Sequence, residues 1–109
     1  MPEKIPDNGQ GGRVVVRIDK DIEGLVPDYC EMTARDAESI RAALVLGDYE
    51  TISRLGHNLK GSGGGYGFDG ITEIGREIEQ HAKNRSGDDI RRLADELSSY
   101  LERLHIIYE

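Results

Sequence analysis

The sequence is poor in cysteine, in basic residues and in long apolar runs. Cys30 is the single cysteine of the 109 residues, so neither an intramolecular disulfide nor a cysteine-based zinc framework can form. The 14 Lys and Arg are outnumbered by 21 Asp and Glu, which gives a formal net charge of −7. This charge disfavours nucleic acid and acidic membrane surfaces as partners.

Targeting and membrane signals are missing as well. No apolar run approaches the roughly 20 residues that span a bilayer. The polar beginning, Met1–Gln10, has no apolar core of a secretory signal. We therefore expect a cytoplasmic protein. A chain of this length accommodates one domain. From its initial Met and short tail we expect a complete small protein, and a domain of a hybrid kinase is the alternative that stays open.

The N-terminal part divides into an arm and an extended segment. Residues 1–12 are polar and contain Pro and Gly, which predicts a disordered or loosely attached arm. The remainder, residues 13–109, is expected to form one domain. Its first segment, RVVVRID at 13–19, is β-branched and indicates a strand. The segment LHIIY at 104–108 is a candidate partner, within the chain or in a second copy. Pairing within the chain suits the monomer that we expect.

From about residue 20 the apolar pattern becomes helical. Pro27 suits the first turn of the first helix. We expect Gly47 to end that helix and Asp48 to cap the second one. Asp69 and Ser86 are the predicted N-caps of the third and fourth helices. The apolar stripes have spacings of three and four. Their members are Val26, Tyr29, Cys30, Thr33, Ala37, Ile40 and Leu44; Ile52, Leu55 and Leu59; Ile71, Ile74, Ile78 and Ala82; and Ile90, Leu93, Leu97, Tyr100, Leu101 and Leu104. The sequence thus predicts an all-α fold, an antiparallel up-down four-helix bundle with an N-terminal extended segment.

The most informative segment surrounds His57, which lies away from the apolar stripe of its helix. Its face also carries Ser53, Lys60, Gly61 and Gly64. Glycine inside a helix is costly, and glycines beside an imidazole leave room for a protein backbone or a phosphoryl group. An imidazole nitrogen is a competent nucleophile, and a neighbouring ammonium stabilises a phosphorylated imidazole.

At this point the sequence resembles histidine phosphotransfer (Hpt) domains. Their H-x-L-K-G signature, followed by a downstream glycine, is matched in this chain by His57, Leu59, Lys60, Gly61 and Gly67. The similarity covers roughly residues 20–104 and continues through Gly67-Phe68 and Ile78-Glu79. The arm, the RVVVRID segment and the density of glycines at 61–67 lie outside the family pattern.

The resemblance implies a phosphorelay function. His57 would accept a phosphoryl group from a receiver-domain aspartate and pass it to another receiver, with Lys60 stabilising charge and Gly61 giving steric access. The implied partners are response-regulator receiver domains, with a hybrid histidine kinase as a further candidate. The resemblance implies no cofactor or metal in this chain, since Mg²⁺ would belong to the receiver, and no ATP-dependent kinase activity.

Other interpretations of the sequence remain open. The bundle could be a non-catalytic interaction module that binds or sequesters a receiver domain or a kinase. We predict Ser53, Gly64 and Tyr66 as partner-docking residues, and Phe68 as a packing residue. A metal site at His57, His81 and His105 is not expected, because their spacing has no meaning across antiparallel helices. Acidic residues on the helix faces, Glu79 among them, are interpreted as a solvated surface.

Overall fold

The computed structural model describes residues 12–109, so the predicted arm lies outside the described residues except for Gly12. A first strand, β1 (Val14–Ile18), leads through a short 3₁₀ segment at Lys20–Leu25 into α1. The bundle helices are α1 (Val26–Val45), α2 (Tyr49–Gly63), α3 (Asp69–Lys83) and α4 (Gly87–Glu102), and a second strand, β2 (Leu104–Tyr108), closes the chain.

The four helices form a ring in which each packs against two neighbours. The contacts join α1 to α2, α2 to α3, α3 to α4 and α4 back to α1, and those between α2 and α3 are the most extensive. Because the turns between consecutive helices are short, consecutive helices run antiparallel. The fully buried side chains that fill the centre include Ile40, Ile52, Leu59, Phe68, Ile71, Ile78, Ile90, Leu93 and Leu97. The predicted four-helix bundle and the packing role of Phe68 are confirmed.

Helix boundaries follow the predicted turn chemistry with two exceptions. Gly47 adopts a positive φ of 69°, and Asp48 caps α2 by accepting a hydrogen bond from the Thr51 backbone N–H. The prediction for Asp69 is wrong by one residue, since the N-cap of α3 is Phe68 and makes no side-chain capping bond. Leu104 lies in β2 rather than in the fourth helix, because α4 ends with Arg103 as its C-cap.

The two strands pair within the chain, as predicted for RVVVRID and LHIIY. They are parallel, and their register runs from Val14 opposite Leu104 to Ile18 opposite Tyr108. Parallel pairing requires a long crossover, which in this chain is the entire bundle. Ile18 is buried and lies against Gly67, so the sheet covers the end of the bundle where α2 turns into α3.

Among residues 12–109, no helix is both long enough and apolar enough to cross a membrane.

Candidate functional site

His57 lies on the solvent side of α2, where the helix geometry predicted by the sequence places it. Ile52, Gly56 and Leu59 occupy the buried side of the same helix, while 63% of the His57 side chain is exposed. The imidazole is therefore held on a regular helix that is anchored by its opposite face. A reacting group on a rigid element of this kind is positioned more accurately than one on a loop.

Two glycines bring α3 unusually close to this part of α2. A Cβ atom added to Gly56 would lie 2.8 Å from the Glu79 backbone nitrogen and 2.9 Å from the Gly75 carbonyl oxygen. A Cβ atom added to Gly75 would lie 2.6 Å from the Lys60 backbone nitrogen. The two backbones are thus in direct contact, and α3 carries Glu79 to a position beside His57 and Lys60.

The carboxylate of Glu79 joins the charged side chains of the site. One oxygen, Oε2, lies 3.2 Å from His57 Nδ1 and 3.7 Å from Lys83 Nζ. The other oxygen, Oε1, lies 3.0 Å from Lys60 Nζ. Only 14% of the Glu79 side chain is exposed, and its single carboxylate contacts one imidazole and two ammonium groups.

The electrostatics of the cluster keep Glu79 ionised. The hydrogen bond from Lys60 lowers the pKa of Glu79 below its ordinary value, partial burial opposes this, and the bond from His57 adds to the lowering. A carboxylate with a depressed pKa stabilises the folded state at neutral pH. That contribution is lost as the pH falls through the depressed pKa.

The ionised carboxylate also determines which imidazole nitrogen is available. A carboxylate only accepts hydrogen bonds, so the neutral His57 ring must carry its proton on Nδ1 to bond Glu79. The lone pair then resides on Nε2, on the other side of the ring. The arrangement presents a nucleophilic nitrogen to solvent, with the Lys60 ammonium on the same side of the bundle.

The structure separates the neighbouring glycines into two kinds. A Cβ atom at Gly61 or Gly65 would meet nothing within 4 Å, whereas one at Gly63 would lie 2.7 Å from the Thr72 backbone nitrogen. Gly63 is therefore required by the packing of α2 on α3. Gly61 is not required by any contact within residues 12–109, and it leaves open space one turn from His57.

The three predicted docking residues lie in different environments. Ser53 is half-buried on α2, one turn before His57. Gly64 donates its backbone N–H to Thr72 Oγ1 at 2.7 Å. Tyr66 is half-buried and stacks on the Tyr29 ring, with the centroids 4.1 Å apart. Their role in docking stays a prediction.

Glu79 is the residue that the sequence interpretation missed. Its assignment to a solvated acidic surface is wrong, because its side chain is largely covered and its carboxylate is bonded to His57 and Lys60. One signal was present: Glu79 follows Gly75 by one helical turn, on a helix whose glycines indicate close packing. The sequence could not show that Gly75 lies against Gly56.

The other two histidines lie apart from this cluster. His81 contacts Asp89 through Nδ1 at 3.5 Å, and His105 is exposed on β2. Within residues 12–109, no group of three or more His, Cys, Asp and Glu side chains is placed to hold a metal ion.

Comparison with known proteins gives one match. The family model described as the Hpt domain matches residues 24–106, which include all four helices and the beginning of β2. No curated protein and no solved structure matches the chain.

Proposed function

The chain belongs to the Hpt domain family, the histidine phosphotransfer domain of two-component phosphorelays, and from this premise we propose that His57 is its phosphoacceptor. Phosphoryl groups would arrive from the aspartate of one receiver domain and leave to the aspartate of another. Membership of the family indicates a phosphotransfer module of two-component systems. The assignment of His57 and the exchange with receiver aspartates are our proposal.

One observation carries the proposal: the His57 side chain is largely exposed, and its contact with Glu79 engages Nδ1, which leaves Nε2 as the nitrogen that can react. Nucleophilic catalysis by histidine requires a neutral nitrogen that an electrophile can reach. Nε2 attacks the phosphorus of the aspartyl phosphate in line. The Nε2–P bond forms while the bond between phosphorus and the aspartate oxygen breaks, and the electron pair of that bond returns to the carboxylate.

Lys60 supplies positive charge for this step. In the resting chain its ammonium lies 3.0 Å from Glu79 Oε1, on the helix turn that follows His57. An incoming phosphoryl group has a larger negative charge than one carboxylate and draws the ammonium toward itself. Because the ammonium already lies beside the site, it is placed to stabilise the negative charge of the transferring phosphoryl group.

Receiver domains and hybrid histidine kinases are the proposed partners. The Mg²⁺ ion and the acidic pocket that activate the phosphoryl group would be the receiver's. In this proposal the chain is a phosphocarrier without ATP-dependent kinase activity, so its labelling depends on a phosphorylated partner and not on ATP alone.

The proposal is tested by mixing the chain with a receiver domain that is phosphorylated on its aspartate, in the presence of Mg²⁺. We expect label to move to the chain, to be lost in acid and to persist in base, as a phosphohistidine requires. Binding of several receivers without any label would instead support the interaction module that sequesters its partner.

Gly61→Ala is expected to slow phosphotransfer without harming the fold. The added methyl group meets nothing in the described chain, and alanine favours a helix over glycine by about 1 kcal/mol. Only a docked partner would meet the new atom, so the rate of labelling by a receiver should fall several-fold while the unfolding midpoint stays the same or rises.

Gly65→Ala is the matched control, since its Cβ atom would also meet nothing within 4 Å. It lies two residues past the end of α2, farther along the chain from His57. Equal labelling rates for Gly61→Ala and the parent chain would show that Gly61 is not needed for the partner to reach His57.

A further inference from the structure

The contact between Glu79 and His57 Nδ1 has a second consequence after the phosphoryl group has been transferred. The neutral ring attacks through Nε2 with a proton already on Nδ1. When the Nε2–P bond forms, Nε2 carries the phosphoryl group while Nδ1 still carries its proton, so the ring becomes positively charged. The ring then either keeps the Nδ1 proton, paired with a carboxylate, or releases it.

The fate of that proton decides how easily the phosphoryl group leaves again. From a protonated ring, the Nε2–P bond breaks with its electron pair returning to Nε2, and a neutral imidazole departs. From a ring without the proton, an imidazole anion would have to depart, which is far less favourable. Retaining the Nδ1 proton therefore makes transfer possible in both directions with no proton entering or leaving the site.

The charges around the ring favour retention. From α2, Lys60 faces the cluster, and from α3, Glu79 and Lys83 do so. The phosphoryl group brings a charge of about −2. The phosphoryl group and the Glu79 carboxylate together carry a charge of about −3, which balances the three positive charges of the two ammonium groups and the ring. The phosphoryl oxygens also draw Lys60 away from Glu79 Oε1, which leaves the carboxylate free to pair with the ring.

We propose that Glu79 is a positioning residue that retains the Nδ1 proton on phosphorylated His57, and that it thereby makes the phosphoryl group transferable at neutral and mildly alkaline pH. The inference rests on the proposed role of His57. It assigns a part in the phosphotransfer to Glu79 and states which proton stays on the ring. Glu79 does not touch the reacting atoms and acts through the imidazole.

The test compares the parent chain with Glu79→Gln, which keeps the shape of the side chain and removes its charge. Glu77→Gln is the matched control, because Glu77 is an exposed residue of the same helix and its loss changes the net charge equally. Each chain is phosphorylated chemically with phosphoramidate, so that no receiver is needed for loading. Transfer to an unphosphorylated receiver with Mg²⁺ is then timed at a series of pH values.

We expect the parent and Glu77→Gln to keep a high transfer rate to a higher pH than Glu79→Gln. A neighbouring opposite charge moves a titration by about one unit or more, so at alkaline pH, where the ring has begun to lose its proton in both chains, the transfer from Glu79→Gln should be about tenfold slower. The three rates should converge as the pH falls and the phosphorylated ring becomes protonated in every variant. Nitrogen-15 NMR of the imidazole checks the proton directly.

Different outcomes separate the inference from the function on which it rests. Parallel pH profiles for Glu79→Gln and the parent, or a loss that is the same at every pH, would overturn the role of the Nδ1 proton and leave the phosphocarrier proposal standing. If the loaded parent chain transfers to no receiver, the phosphocarrier proposal fails. The imidazole NMR then still decides whether Glu79 retains the proton. Loss of the Nδ1 proton at the same pH in the parent chain and in Glu79→Gln would refute the proposed role of Glu79.

Discussion

His57→Gln is expected to take up no phosphoryl group from any phosphorylated receiver, while its fold remains intact. Glutamine offers no nucleophilic nitrogen, since the lone pair of an amide nitrogen is delocalised. The replaced side chain is 63% exposed, so little buried surface is lost, and substitutions at exposed positions usually change stability by less than about 0.5 kcal/mol. The measurement is labelling by a phosphorylated receiver, accompanied by a thermal unfolding curve.

His105→Gln is the matched control for this variant. His105 is exposed on β2, so its replacement makes the same chemical change on the surface without touching the Glu79 cluster. It should be labelled at the rate of the parent chain. Acid-labile label on His57→Gln, or its absence from His105→Gln, would contradict the assignment of the phosphoacceptor.

Gly75→Ala is expected to destabilise the bundle, in contrast to the same substitution at Gly61. Its Cβ atom would lie 2.6 Å from the Lys60 backbone nitrogen and 2.8 Å from the Gly56 carbonyl oxygen. Backbone atoms cannot turn aside as a flexible side chain can, so α2 and α3 must separate. Overpacking of this kind costs about 1–3 kcal/mol, which is a large part of the roughly 5–15 kcal/mol that stabilises a typical domain.

The same separation would also disturb the candidate site. Glu79 follows Gly75 by one turn, and its backbone nitrogen lies against Gly56. Moving α3 outward therefore lengthens the bonds from Glu79 to His57 and Lys60, and the transfer rate should fall together with stability. Urea unfolding of Gly75→Ala and Gly61→Ala measures the contrast between the same substitution at a packed and at an open position. An unchanged urea midpoint for Gly75→Ala would show that the helices do not meet there.

Local sequence signals predicted the helices and their order well. Gly47 and Asp48 mark a turn through residue-specific chemistry, a positive φ and a side-chain cap, which does not depend on the rest of the fold. The apolar stripes predicted the bundle because each helix buries one face. The pairing of the two terminal strands followed from their alternation, although their parallel direction depends on how the whole bundle turns the chain.

Features that depend on contacts between helices were beyond the sequence. Asp69 has the chemistry of a cap, but the structure begins α3 with Phe68 as N-cap, whose buried ring fixes the entry to the helix. Glu79 resembles any acidic residue on a helix surface until Gly56 and Gly75 bring the two backbones together. Likewise, the sequence does not show that Gly63 is needed for packing while Gly61 is open, because this difference depends on the position of Thr72 on the neighbouring helix.

A relay between two receivers tests the central claim most directly. One receiver is phosphorylated, a second of different mass is not, and the chain is added in an amount far below either receiver. We predict that label accumulates on the second receiver beyond the amount of chain present, passing through acid-labile label on His57, and that His57→Gln supports none of it. Label that stays on the first receiver while the chain binds both would contradict a phosphocarrier.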